Sequence, residues 1–268
     1  NIYPILISKE QFEKYDTIFH ITLEIEALKF QKYNRSNIAA EICKYFEVPV
    51  LDLKIEKENS YKIYRNTISI FPVSTSVIRS LPYNVLQNII DTFAENYKVR
   101  VIVDQSEYSK YLIKKNIKQN AVFVNPQNIK NLILEISRVN LGVFIDSGPL
   151  HIAKAFNKKG IFIETSVSSE ILLSNYKNIL PIKNKYKSNF CDGPCGLVDI
   201  FSNDGLVGCY ETNKYSFEKI KKLDSFKKLQ RWNKKDNNSH FYTNPVGCIK
   251  EINIKEIIEK INSKIKEA

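Results

Sequence analysis

From residue 67 onward, short apolar runs alternate with amphipathic stretches along the chain. The runs show little polar alternation, which is typical of strands in a parallel sheet that is covered on both faces. They lie at residues 67–71, 99–103, 121–124, 141–145 and 160–164. Between them the spacing is helical: Val85, Ile89 and Phe93 share one face of a helix that follows Pro82. Further helices are predicted at residues 107–115, 127–138 and 149–156. This alternation predicts βαβ units and an α/β fold with a parallel sheet.

The first 66 residues have a less regular pattern. Residues 17–23 alternate as a strand would, and residues 38–46 have helical spacing that ends before Pro49. Residues 54–65 are polar and aromatic, which indicates a connection between two domains. We therefore expect one domain in residues 1–66 and a second in residues 67–268.

Composition narrows the class of protein. The chain has 268 residues, of which 43% are hydrophobic and 26% charged, so it can form a packed core and is not a disordered polyelectrolyte. No apolar run reaches the roughly 18 residues that a membrane-spanning helix needs. The net charge of +11 has two interpretations. It is either a solvated lysine surface or an attraction to an anionic partner, such as a phosphorylated ligand or a lipid headgroup surface.

The first residues of the chain carry information about the cellular compartment of the protein. The sequence begins at Asn1 and contains no methionine, so we expect it to be a processed or partial chain. Residues 1–30 contain no basic segment followed by an apolar one, which favours a cytoplasmic protein, with peripheral contact at the inner membrane. In that compartment the five cysteines are expected to be reduced thiols or metal ligands rather than disulfides.

Two clusters of polar residues directly follow predicted strands, where parallel sheets bind ligands. Ser74 and Thr75 precede Arg79 after the first strand, and hydroxyls, loop N–H groups and a guanidinium together suit an anion. Plain helix caps are the alternative. The second cluster can hold a phosphate at a helix N-terminus, with Asp146 and Ser147 also able to cap that helix. It comprises Asp146, Ser147, Gly148 and His151, and a structural role for the histidine is equally open.

Two further groups carry candidate chemistry. Glu107 follows the strand at 99–103, where a carboxylate can accept hydrogen bonds from ribose hydroxyls; an exposed helix start is the alternative. Four cysteines lie in a segment at residues 188–248 and could close a tetrahedral metal site. They are Cys191, Cys195, Cys209 and Cys248, and free or buried thiols remain the other interpretation.

Residues 71–82 and 145–155 resemble two motifs of glycosyltransferase family 9, the lipopolysaccharide heptosyltransferases. Phe-Pro-Val-Ser-Thr-Ser-Val-Ile-Arg-Ser-Leu-Pro resembles the family's strand-end loop, in which hydroxyl residues precede a basic residue. Ile-Asp-Ser-Gly-Pro-Leu-His-Ile-Ala-Lys-Ala resembles its Asp-Thr-Gly-x-x-His-x-Ala-x-Ala signature. The resemblance covers residues 67–185 and the last helix. It implies a GT-B-like fold, with a Rossmann-like nucleotide-sugar domain at residues 67–268 and part of an acceptor-side α/β domain at residues 1–66.

The resemblance also implies roles for the residues. Ser74 and Thr75 would lie near the phosphates, and Arg79 would offset diphosphate charge as the sugar leaves. Glu107 would lie near the ribose. The loop on the phosphate side would contain Asp146, Ser147, Gly148 and His151. The four cysteines are similar to the finger of autotransporter heptosyltransferases, which implies a structural iron or zinc at Cys191, Cys195, Cys209 and Cys248.

We therefore predict a glycosyltransferase that moves a sugar, expected to be heptose, from a donor such as ADP-heptose to a saccharide, lipopolysaccharide or protein acceptor. The βαβ pattern disfavours a nucleic-acid partner. The chain departs from the family at Leu81, where Trp is usual, and at residues 161–165. The family's first strand and Gly-Asp loop, which carries the base, are not visible before residue 17. A catalytically inactive, transferase-like binding or scaffold protein is the alternative.

Overall fold

A computed structural model provides the fold. It describes residues 40, 43–44, 47–49, 62–114, 121–173, 176–189, 191–197, 201–203, 206–209, 211, 245 and 247–267. The chain divides into two compact units, Asn1–Leu51 and Asp52–Ala268. Nearly all of the first unit, including the strand expected at residues 17–23, lies outside the described residues, so the domain boundary after residue 66 stays a prediction.

The second unit is built on a six-stranded sheet. Every strand pair in it is parallel, and the strand order is β3-β2-β1-β4-β5-β6. The strands are β1 (Thr67–Ile70), β2 (Lys98–Ile102), β3 (Ala121–Val124), β4 (Leu141–Phe144), β5 (Lys159–Ile163) and β6 (Ile179–Ile182). The five strands predicted from the sequence are confirmed to within one residue at each end. β6 was not predicted; it contains Pro181, which is tolerated because this strand lies at the edge of the sheet.

Helices cover the sheet as the apolar periodicity predicts. They are α1 (Tyr83–Phe93), α2 (Glu107–Lys114), α3 (Ile129–Ser137), α4 (Gly148–Ala155), α5 (Ser169–Leu172), α6 (Gly247–Lys250) and α7 (Ile254–Lys266). The last helix, α7, packs on α1, β5 and β6. Strand residues such as Ile70, Val101 and Val143 are completely buried, because both faces of the sheet are covered. Among the described residues, no helix combines the length and the apolar character that crossing a membrane requires.

The strand order places the site. The chain runs from β1 outward through β2 to β3 and then returns to form β4 on the other side of β1. The order therefore reverses between β1 and β4. In open α/β sheets, a crevice that binds ligands lies outside the carboxyl ends of the strands at such a reversal. The loops after Ile70 and Phe144 are thus neighbours at this edge.

Two glycines allow β1, β4 and β5 to pack tightly. A methyl group on Gly142 would lie 2.2 Å from the ring of Phe144, and one on Gly160 would lie 2.3 Å from the Gly142 carbonyl oxygen. The Phe144 ring stacks on Phe71, with centroids 5.1 Å apart. This stack directly joins the ends of β1 and β4.

A smaller element lies in the cysteine-bearing segment. Strands β7 (Phe201–Asn203) and β8 (Leu206–Gly208) form an antiparallel pair. Gly196 N–H donates to the carbonyl of Ser166, which follows β5, so this segment lies against the carboxyl edge of the sheet.

Candidate functional site

A cavity of about 430 Å³ opens at the carboxyl ends of β1, β2 and β4. It contains most of the residues that the sequence singled out: Ser74, Thr75, Arg79, Asp146, Ser147, Gly148 and His151. They come from two loops that are 72 positions apart at Ser74 and Asp146, and the strand reversal brings those loops together. The two clusters predicted separately are therefore two walls of one cavity.

The centre of this cavity is an ion pair. Arg79 ends a 3₁₀ turn, Val77–Arg79, and its Nη1 donates to the Asp146 carboxylate at 3.0 Å. Its Nη2 donates to Thr75 Oγ1 at 2.9 Å. Because Thr75 Oγ1 accepts this bond, its own hydrogen is directed away from Arg79. The arrangement offers a guanidinium and a hydroxyl donor to one anion.

Ser74 and Thr75 differ in their hydrogen bonds. Ser74 Oγ donates to the main-chain carbonyl of Asp146 at 2.9 Å, and its N–H donates to Ser80 Oγ at 2.9 Å. Ser80 Oγ in turn donates to the carbonyl of Ser76 at 2.9 Å. Ser74 is buried, so its hydroxyl joins the two loops, whereas Thr75 is exposed. The predicted hydroxyl pair thus contains one joining residue and one that can donate to a ligand.

The start of α4 provides a second source of donors. Ser147 occupies the N-cap position, but its side chain makes no capping bond, and Asp146 pairs with Arg79 instead. The expectation that these two side chains cap the helix is therefore wrong. Pro149 has no N–H, and Leu150 N–H donates to Ser147 O. Gly148 is the first residue of the helix, so its N–H lies at the positive end of the helix dipole.

His151 lies one turn into α4 and is exposed at the cavity. Its pKa is lowered, mainly because the surrounding protein removes solvent from the imidazolium and also because the Lys154 ammonium repels it. The Asp146 carboxylate raises the pKa, but by less. The neutral imidazole, which can donate or accept one hydrogen bond, is thus the form present at pH 7.

A carboxylate missed by the sequence analysis lies in the cavity. Asp104 follows β2 and is exposed there. Its Oδ1 accepts from Ser106 N–H at 2.9 Å and from the Ser106 and Ser109 hydroxyls, which hold the side chain in place. The predicted residue, Glu107, is the first residue of α2, and its side chain lies outside what the structure describes. Asp104 lies closer than Glu107 to the end of the strand, and this position was the signal in the sequence that could have identified it.

An apolar wall was also missed. It is formed where β3 leads into α3, by Pro126, Ile129 and Leu132. Ile129 is 60% exposed, which is unusual for an isoleucine at the start of a helix. Asn128 caps this helix by accepting from Asn131 N–H at 3.0 Å. The run Pro-Gln-Asn-Ile at residues 126–129 places apolar side chains at the start of a helix, and this was the signal in the sequence.

The four cysteines at residues 191, 195, 209 and 248 are not joined by disulfides. The pKa of Cys191 is raised to about 12, mainly by burial and in addition by charge on Cys195, Cys248 and Cys209, so the four thiols act on one another. Burial likewise raises the pKa of Cys248 to about 12. Among the described residues, no group of three or more His, Cys, Asp or Glu residues has an arrangement that would hold a metal ion.

Comparison with known proteins shows the fold. No family model and no curated protein sequence matches the chain. Among solved structures, it is similar to the iron-containing dodecameric glycosyltransferase TibC from enterotoxigenic E. coli H10407. That match has 10% identity and a TM-score of 0.50, over 87% of this chain and 54% of TibC.

Two further structures are similar at lower TM-scores. A family 9 glycosyltransferase from Veillonella parvula DSM 2008 matches at 12% identity and a TM-score of 0.45, over 97% of this chain and 58% of that protein. Heptosyltransferase WaaC of E. coli matches at 9% identity and 0.41, over 53% of this chain and 46% of that protein. The chain thus spans about half the length of the structures it matches. The predicted α/β, GT-B-like fold and its likeness to family 9 are confirmed at the level of fold.

Proposed function

We propose that this chain binds a nucleotide sugar and belongs to a glycosyltransferase. The observation that carries the proposal is the cavity at the reversal of strand order, where Arg79, Thr75 and the N-terminus of α4 converge. A guanidinium, a hydroxyl donor and the positive end of a helix dipole are the groups that a diphosphate requires. Their position at the carboxyl edge of a parallel sheet is the usual one for nucleotides.

The same groups provide the chemistry of transfer. When a sugar leaves a nucleoside diphosphate, negative charge develops on the diphosphate oxygen. Arg79 and Gly148 N–H stabilise that charge, because fixed donors cost little reorganisation as the charge forms. Arg79 is held by Thr75 and Asp146, so its guanidinium is already oriented. No metal ion is required at the reacting centre on this proposal.

The rest of the nucleotide fits the remaining walls. Asp104 provides a carboxylate whose Oδ1 accepts three hydrogen bonds from the protein. Its Oδ2 would accept the ribose hydroxyls. The apolar wall of Pro126, Ile129 and Leu132 suits the face of a base. Glu107 remains proposed as a second ribose contact from the family resemblance.

The donor and acceptor are proposed from the sequence motifs. The resemblance of residues 71–82 and 145–155 to heptosyltransferase motifs favours ADP-heptose as the donor. On the same basis, the acceptor is a saccharide such as lipopolysaccharide or a protein, and the N-terminal unit would bind it. A cytoplasmic site of action, with peripheral contact at the inner membrane, accords with this acceptor and with the net charge of +11.

An inactive binding or scaffold protein is the second candidate, and it rests on the carboxylates. Among the described residues, Asp104 and Asp146 are the carboxylates that line the cavity. Asp146 pairs with Arg79, and Asp104 Oδ1 accepts hydrogen bonds from Ser106 and Ser109, so both carboxylates are already engaged by other groups of the protein. Activity on this proposal therefore uses a base other than these two carboxylates, and a chain without one would bind the donor and not transfer it.

We also propose that Cys191, Cys195, Cys209 and Cys248 hold a structural iron or zinc. The chemistry of the donor set supports the proposal, since four thiols that act on one another would become thiolates around a cation, and binding would draw them together from the arrangement described above. The metal would stabilise the segment 188–248 and take no part in transfer. Elemental analysis of the purified protein tests this: about one iron or zinc per chain is expected, and a metal-free protein whose thiols all react without loss of fold would contradict it.

Thermal unfolding with a panel of nucleotide sugars tests the proposed function. A rise in Tm with ADP-heptose that other nucleotide sugars do not produce is expected for a heptosyltransferase. Arg79→Ala should abolish the rise, because the diphosphate loses its cation. Lys183→Ala is the matched control, since Lys183 pairs with Glu170 outside the cavity. No rise with any nucleotide sugar would reject the proposal, and binding without sugar transfer would favour the scaffold.

A further inference from the structure

The cavity contains both a positive and a negative group at the point where an anion would bind. Asp146 lies 3.0 Å from Arg79, with side-chain exposures of 9% and 17%, so the aspartate neutralises the arginine in a partly desolvated place. Any anion that reaches the Arg79 fork also approaches the Asp146 carboxylate. The site therefore contains an attractive and a repulsive group at nearly the same point.

Other charged groups do not reverse this balance. Asp104, which also lines the cavity, adds a second negative charge. On α4, His151 is neutral at pH 7 because its pKa is lowered. Lys154, also on α4, donates its Nζ to the carbonyl of Leu172 and does not line the cavity. The described part of the cavity thus has one positive and two negative side chains.

We propose that Asp146 determines specificity between two anions: it makes the cavity bind a nucleoside diphosphate that is esterified to a sugar in preference to the free nucleoside diphosphate. The inference rests on the proposed function and deepens it. The sugar-free diphosphate is the product of the transfer, so Asp146 would weaken the binding of product and speed its release.

The physical reason is the charge of the terminal phosphate. A terminal phosphate has a second pKa of about 6, so the free diphosphate carries nearly one more negative charge above neutral pH. The esterified phosphate has no such proton to lose. Two like charges within about 5 Å in partly desolvated protein repel by enough to change an affinity about tenfold or more. Asp146 applies that repulsion mainly to the free diphosphate, while Arg79 attracts both ligands.

Asp146→Asn tests the proposal, because the amide oxygen can still accept from Arg79 while the charge is removed. Affinities for ADP and for ADP-glucose are measured by calorimetry at pH 8, where His151 is neutral in both proteins. In the variant, ADP should gain about tenfold in affinity relative to ADP-glucose. Glu170→Gln, which removes the charge of an exposed ion pair outside the cavity, should leave the ratio unchanged.

An unchanged ratio, or a shift that favours ADP-glucose, would overturn the proposal. If Asp146→Asn does not fold, Asp146→Ser removes the same charge with a smaller side chain. Inorganic pyrophosphate separates this proposal from the proposed function, because it has the phosphates but neither base nor sugar. Tighter pyrophosphate binding by the variant supports the role of Asp146 even where no nucleotide binds. Pyrophosphate binding that the substitution does not tighten contradicts the role of Asp146, whatever the nucleotides do.

Discussion

The Ser74 hydroxyl donates to the main-chain carbonyl of Asp146 across 2.9 Å and so joins the loop after β1 to the loop after β4. Both residues are buried. The bond crosses the point at which the strand order reverses, and it holds the Asp146 main chain where the side chain can reach Arg79. The geometry of the ion pair therefore depends on a serine that is not one of its two members.

Ser74→Ala should destabilise the protein by about 1–3 kcal/mol, because the buried Asp146 carbonyl loses its donor and remains unsatisfied. Urea unfolding measures this change. Thr92→Ala is the control, since the exposed Thr92 hydroxyl bonds to Asn88 O within one helix and should matter by less than about 0.5 kcal/mol. Equal stabilities of Ser74→Ala and the parent protein would show that the bond does not hold the two loops.

Thr75→Val should weaken nucleotide-sugar binding by about tenfold with little change in stability, because it removes an exposed donor to a charged ligand and keeps the shape of the side chain. Calorimetry with the nucleotide sugar that gives the largest rise in Tm measures the loss. The same titration of Ser74→Ala provides the comparison. A larger loss of affinity in Ser74→Ala than in Thr75→Val, at equal folding, would assign the ligand contact to Ser74 instead.

Gly142→Ala should destabilise the protein by about 2–3 kcal/mol, because the added methyl group would lie 2.2 Å from the Phe144 ring and force the Phe71 stack to move. Gly148→Ala is the matched variant: nothing lies within 4 Å of its added methyl group, so stability should change little. Denaturant midpoints of the two variants give the answer, and comparable losses in both would contradict the packing described for β4.

The pH dependence of stability should contain a contribution from His151. Its pKa in the folded protein is lowered, so the unfolded chain binds the proton more tightly. The contribution is therefore present above the unfolded pKa of about 6.5 and is lost as the pH falls through the folded value. Urea unfolding at pH 7.5 and pH 5 should show a smaller difference for His151→Gln than for the parent protein. A parent protein that becomes more stable at pH 5 through His151 would reverse the assigned direction.

Local pattern was sufficient for the central strands of the sheet. Residues 67–71 and 141–145 are apolar runs bounded by turn residues, and the observed bounds of β1 and β4 differ from the predicted ones by one residue. β6 was missed because Pro181 argues against a strand unless the strand lies at an edge, and edge position is not visible in a single sequence. The site clusters after β1 and β4 were predicted because parallel strands place their carboxyl ends at one edge.

Side-chain pairing could not be predicted in the same way. The sequence offered Asp146 and Ser147 as helix caps, and Asp146 instead pairs with Arg79 from a loop that is distant along the chain. It offered Glu107 for the ribose, and the carboxylate after β2 that lines the cavity among the described side chains is Asp104. A cap is a local contact that any chain near a helix start can form, and an ion pair between loops exists only when the sheet has formed.

The sequence alone determined the α/β class, the parallel strands and the two loops that bear the residues proposed to bind an anion, because periodicity and turn residues act over a few positions. The tertiary structure decided which of those residues meet: Ser74 with the Asp146 main chain, Arg79 with its carboxylate, and Thr75 with Arg79. The physical reason is that the energies of these hydrogen bonds and of the ion pair depend on distance and burial. The reversal of strand order around β1 determines both.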